Sequence, residues 1–114
     1  MLRTNLIVAL VGGLLAGSML SAQDTTLVAK GKVLTADYKC AMCHVVGGKG
    51  GKLSKSLDGV SDRHATAALK KILEDPLGIL PASQIRMPKV AWKPGEVDAV
   101  VAYLQSLKAV PITR

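Results

Sequence analysis

At 114 residues the chain has room for one domain. With no Phe, one Trp and two Tyr it lacks the aromatic area that usually fills the core of so small a fold. Fifteen Lys and Arg against eight acids give a net charge of +7, which points to nucleic acid, an anionic membrane or an acidic protein as partner. Taken from its start, the chain opens on Met1-Leu2-Arg3, follows with an apolar run from Leu6 to Ala16, and continues with the small or polar residues Gly17, Ser18, Ser21 and Ala22. That order is the order of a secretory signal peptide, residues 1–22, with cleavage expected after Ala22 even though Leu20 is larger than a cleavage site prefers. An uncleaved membrane anchor is the alternative, but the run falls short of the about 20 residues a spanning helix needs. Residues 23–114 are then the single mature domain, exported or periplasmic, without stable membrane insertion and with a net charge of +6 once Arg3 is gone. Export sets nucleic acid aside as a partner.

From Asp24 as a possible N-cap, Leu27, Gly31, Leu34 and Tyr38 recur at near-helical spacing and predict a first helix. Glycine is costly inside a helix, so Gly31 calls for a packing reason. The stretch Gly47-Gly48-Lys49-Gly50-Gly51 is too glycine-dense for regular structure. It is not a phosphate loop, since no strand precedes it and no Lys-Ser/Thr follows. Ser61-Asp62-Arg63-His64 has the pattern of a first helical turn capped by Ser61 or Asp62. Ala65, Ala68, Leu69, Ile72 and Leu73 mark a helix stopped by Pro76. Residues 76–94, with Pro76, Pro81, Pro88 and Pro94, make an excursion long enough to require a function in so small a domain. The last helix is expected from Gly95 to Lys108, with Val97, Val100, Val101, Leu104 and Leu107 in one stripe. Glu96 and Asp98 in its first turn and Lys108 in its last suit the helix dipole.

Cys40-Ala41-Met42-Cys43-His44 carries the chemistry. Two cysteines cannot form a disulfide framework, because a bridge between Cys40 and Cys43 closes too short a loop to restrain the unfolded chain. Cys-x-x-Cys-His is instead the attachment pattern of c-type haem. Thiols two residues apart can each form a thioether to one porphyrin vinyl group, and the adjacent imidazole can ligate iron from below. Haem c would also supply the apolar filling the aromatic-poor core needs. A thioredoxin-like pair would require a strand–helix–strand setting, and no strand-like alternation precedes Cys40. A zinc site would require four ligands, and only His64 lies beyond the motif.

Iron in an electron carrier is usually six-coordinate, and methionine opposite histidine raises its potential. Beyond the signal segment the methionines are Met42, inside the attachment loop on the wrong side to reach across, and Met87. In Ile85-Arg86-Met87-Pro88-Lys89 the proline holds Met87 out of helical geometry, which lets an extended segment lay a thioether over a porphyrin face. Met87 is therefore the expected distal ligand, with core packing as its ordinary alternative. His64 is the competitor, though a histidine in a first helical turn is most often exposed.

With these residues the chain resembles the class I, mono-haem cytochromes c. The resemblance is carried by residues 40–44, the Gly-rich stretch, Leu57-Asp58-Gly59-Val60, Met87-Pro88 and Tyr103-Leu104. It implies an all-α fold of three to four helices wrapped around one covalently bound haem, with a glycine at Gly31 permitting close crossing by the last helix. It also implies covalent attachment at Cys40 and Cys43, with His44 as proximal and Met87 as distal iron ligand. One departure stands out. The family commonly places a proline carbonyl on the proximal imidazole, whereas Gly51-Lys52-Leu53-Ser54-Lys55-Ser56-Leu57 contains no proline and puts Lys55 nearest that place. A Lys55 backbone carbonyl can do the same work.

The expected function is single-electron transfer between redox proteins, as a monomer in a respiratory setting. Lys39, Lys49, Lys52, Lys55 and Lys89 flank the ligand-bearing segments and suit partners with acidic docking patches. Trp92 is expected at the haem edge, with a propionate as one possible acceptor for its indole. An open-coordination haem enzyme or gas-binding protein is one alternative, although no acid–base pair or nucleophile near a substrate site is visible. A fixed haem subunit of a larger respiratory or dehydrogenase complex is the other.

Overall fold

The structure, a computed structural model, describes residues 18–81 and 86–109, with side chains from Thr25 onward. Most of the expected signal segment, residues 1–17, and Ile85 beside Met87 lie outside the described residues. The elements are helix α1 (Ser18–Asp37), a 3-10 turn (Cys40–Met42), strands β1 (Val45–Val46) and β2 (Lys49–Gly50), and a second 3-10 turn (Val60–Asp62). Helices α2 (Thr66–Glu74), α3 (Pro76–Ile79) and α4 (Glu96–Ser106) complete them. Among the described residues no helix is long and apolar enough to cross a membrane.

The first and last long helices carry the fold. α1 and α4 make the most extensive contact of any two elements, and Gly31 is where they meet: a Cβ there would overlap the Ala99 carbonyl and approach Tyr103 Cβ to 2.7 Å. Tyr103 and Leu104 are buried in this crossing. The core gathers Leu34 from α1, Val60, Leu69 and Leu73 from the middle of the chain, and Ala99, Val100, Val101 and Leu104 from α4. Leu27, Tyr38, Leu57, Met87, Trp92, Val97 and Leu107 pack against it half-buried. The α4 stripe thus buries its central members and leaves Val97 and Leu107 at the rim.

Four boundaries differ from the sequence expectation. Asp24 lies inside α1 instead of capping it, because Ser18-Met19-Leu20-Ser21-Ala22 continues the helix upstream without a breaker. Gly47 and Gly48, both at positive φ (60° and 79°), form the two-residue turn of an antiparallel β1–β2 hairpin, so glycine enables regular structure here. Ser61 and Asp62 belong to a 3-10 turn, and α2 begins later with Ala65 at its N-cap and no side-chain cap. α4 ends at Ser106, which leaves Lys108 beyond the helix.

Pro76 ends one helix and begins another. Lacking an N–H it cannot continue α2, but it occupies the first position of α3, where the missing donor costs nothing. Asp75 caps that helix by accepting the Gly78 N–H at 3.1 Å.

Candidate haem-attachment site

α1 is terminated by Lys39, the one non-glycine residue at positive φ (58°) among those described. This left-handed residue reverses the chain directly into the 3-10 turn that carries Cys40. The Cys43 and His44 amides both donate to the Cys40 carbonyl, at 3.3 and 3.1 Å, so both thiols and the imidazole sit on one tight turn. Cys40 and Cys43 are unbridged and half-buried. Burial pushes the Cys40 thiol above its ordinary range.

His44 is half-buried, and its Nδ1 lies 2.6 Å from the backbone carbonyl of Lys55. A carbonyl oxygen only accepts, so Nδ1 carries the proton and donates it. The Nε2 lone pair is thereby left for a metal. The bond expected of an absent proline is made by Lys55, whose side chain is exposed and plays no part in it.

Met87 lies in the extended segment between α3 and α4, half-buried and packed on the cluster that also holds Tyr38 and Leu57. Met87, Tyr38 and Leu57 thus share the same core as their packing surface. Met42 is 68% exposed. His64 is exposed too, its backbone amide closing the Val60 turn at 3.0 Å. Among the described residues no three or more His, Cys, Asp or Glu side chains cluster as a metal site would need.

The Trp92 indole has a partner other than the propionate named as one possible acceptor. Its indole N–H donates to the Leu73 carbonyl at 2.8 Å and is therefore committed away from any propionate. The reason lies in α2. Leu73 is in the last turn of α2, which ends at Glu74, so the indole satisfies a carbonyl that the helix leaves open. The Trp92 ring stands edge-on to Tyr38 with centroids 4.8 Å apart and planes at 67°. Tyr38 in turn donates its hydroxyl to Glu96 Oε1 at 2.6 Å, and Glu96 also accepts the Lys93 N–H at 2.8 Å. The Tyr38 bond, then the Lys93 bond, hold the buried Glu96 carboxyl below its usual range, and the same pairing raises the Tyr38 hydroxyl. Sequence periodicity gives no sign of this pair, whose members are 58 residues apart.

A second buried carboxylate was equally invisible in the sequence. Asp58, 7% exposed, accepts the Gly47 and Gly48 amides on its two oxygens, each at 2.7 Å. The family resemblance drew on Leu57-Asp58-Gly59-Val60 but gave Asp58 no role.

A helical shell whose attachment turn offers two thiols, with an adjacent imidazole already committed at Nδ1, defines a c-type haem protein. A family model of cytochrome c matches residues 28–108, and the chain belongs to that family. It is accordingly an electron-transfer protein with covalently bound haem c, working with redox partners. No curated protein matches the chain. The residues present fit the cofactor: two free thiols, an imidazole with Nε2 unengaged and a thioether on the backing core are soft and borderline donors suited to iron porphyrin.

Proposed function

We propose that this chain is an exported single-electron carrier in which Cys40 and Cys43 form the thioethers, His44 is the proximal ligand and Met87 the distal one. The observation that carries the reading is the His44–Lys55 hydrogen bond, which fixes the tautomer that iron ligation requires and holds the ring plane. Haem c, once attached, supplies the one-electron couple. The chain's residues do the rest. The 3-10 turn holds thiols and imidazole together, and the half-buried Met87 would supply the second iron ligand once haem is attached. The core formed by α1 and α4 excludes water from one side.

The signal peptide of residues 1–22 is removed after Ala22, and the mature domain works as a monomer in the periplasm, within a respiratory chain. Its partners present acidic docking patches to exposed Lys39, Lys49, Lys52, Lys55 and Lys89. Absorption spectra of the purified protein in both oxidation states test the reading. Thioether-linked haem and a weak sulfur-to-iron band that disappears in Met87→Ala are expected. A folded colourless protein, or native reduced protein that binds carbon monoxide at neutral pH, overturns it.

A further inference from the structure

The His44–Lys55 bond spans a stretch with little stiffness of its own. No proline occurs between Cys43 and Asp75, and Gly47, Gly48, Gly50, Gly51 and Gly59 fall within or beside the loop. What places the Lys55 carbonyl is a ladder between residues 54–58 and residues 43–48. Upstream of Lys55 the Ser54 amide donates to the Cys43 carbonyl at 2.9 Å. Downstream, the Leu57 amide donates to the Val45 carbonyl at 2.9 Å. The ladder then closes on Asp58, whose carboxylate takes both turn amides, while its own N–H donates to Ser56 Oγ at 3.1 Å. Ser56 Oγ also donates to the Val45 carbonyl at 3.4 Å, and the Arg63 guanidinium holds the Ser56 carbonyl at 2.5 Å.

Of these contacts the two to Asp58 are the strong ones, because each joins an amide to an oxygen of a buried carboxylate. They are also the contacts that fix the hairpin turn, since Gly47 and Gly48 have positive φ and both of their amides donate to this one carboxylate. Asp58 is three residues beyond Lys55, and Gly47 is three beyond His44. The clasp therefore locks donor and acceptor of the imidazole bond from the same side at equal distance along the chain.

We propose that Asp58 is the positioning residue for the His44 imidazole, its buried carboxylate clasping the Gly47–Gly48 turn so that the Lys55 carbonyl stays on Nδ1. The inference rests on His44 being the iron ligand. Loss of the clasp loosens the Nδ1–H bond and lowers the electron-donating power of the imidazole, which disfavours ferric iron and raises the reduction potential.

The test uses haem-loaded Asp58→Asn, which keeps one acceptor oxygen and the side-chain size. Proton exchange at His44 Nδ1, read by NMR in the reduced state, is expected to be about tenfold faster than in the unsubstituted protein, given the usual strength of a charge-assisted hydrogen bond. Amide protection at Val100 and Val101 should stay unchanged, and the potential should move upward. Removing a negative charge alone also raises the potential, so an upward shift with unaltered ring-proton exchange overturns the proposal. Should the Asn variant not mature, Ser56→Ala keeps the carboxylate but removes the hydroxyl that accepts the Asp58 backbone N–H and donates to the Val45 carbonyl, which loosens the backbone carrying the clasp. Exchange faster than in the unsubstituted protein supports the clasp, and unchanged exchange refutes it. Absence of haem-shifted His44 resonances in the unsubstituted protein overturns the ligation itself, and the proposal with it.

Discussion

Gly31 of α1 lies directly against the Ala99 carbonyl of α4, leaving no room for a side chain between the two helices. An alanine in an ordinary helix interior gains about 1 kcal/mol over glycine. At position 31 the sign should reverse, because the new methyl meets backbone, which cannot rotate away, and Tyr103 Cβ at 2.7 Å. Gly31→Ala is expected to lose about 3 kcal/mol by overpacking. Urea unfolding of the haem-loaded protein measures it, and a variant as stable as the original would show that the crossing is looser than described.

The pair of Tyr38 and Glu96 makes stability depend on pH at both ends. The Glu96 carboxyl is held below its ordinary value of 4.5, first by the Tyr38 hydroxyl. Its contribution is fully present above pH 4.5 and is lost as pH falls through the lower folded value. The Tyr38 hydroxyl is raised above 10.0, first by the same bond, so its contribution is present below pH 10.0 and disappears as pH climbs through the higher folded value. Tyr38→Phe should lower Tm at neutral pH and abolish this pair's share of the alkaline loss, and its deficit should shrink in acid as Glu96 protonates. A deficit that stays constant from acid to alkali would mean that the phenol contributes packing alone.

Lys39 holds a left-handed conformation that costs an L-residue about 1 kcal/mol and glycine almost nothing. Its side chain is exposed and closes no salt bridge among those described. Lys39→Gly is therefore expected to raise stability by roughly 0.5–1 kcal/mol without changing the haem spectrum. A loss of stability in the same urea titration would count against a strained α1 terminus.

Those parts of the fold that depend on local pattern were legible in the sequence. The α4 stripe, the packing reason for Gly31, the exposure of His64 and the backbone role of Lys55 follow from spacing, residue size or the family resemblance. Other features arise only when distant segments meet. Asp58 acquires its role because a glycine turn ten and eleven residues earlier folds back onto it. Trp92 finds its acceptor because α2 ends at Glu74 and leaves the Leu73 carbonyl without a helical donor. The glycine-rich stretch misled for a related reason: glycine density weakens local preference, yet two adjacent glycines at positive φ are what a two-residue hairpin requires. The start of α1 was misplaced because an N-cap aspartate is favoured only where the chain before it is not already helical.

The exposed lysines around the ligand-bearing segments give the last prediction. None of Lys39, Lys49, Lys52, Lys55 and Lys89 forms a salt bridge among those described, where the single pair is Lys70–Asp98 at 2.6 Å. Their charge is therefore free to attract an anionic partner over distances that salt controls, since screening acts within about 10 Å at 0.1 M. Electron exchange with an acidic redox protein should slow about tenfold as ionic strength rises from about 0.01 to about 0.2 M. Exchange with a neutral small-molecule reductant should hardly change. Lys52→Glu with Lys55→Glu should flatten the salt dependence and leave the spectrum intact, because the Lys55 carbonyl that holds His44 belongs to the backbone. Rates that ignore both salt and charge reversal would place the docking face elsewhere on the molecule, and the lysines would then be ordinary solvated surface.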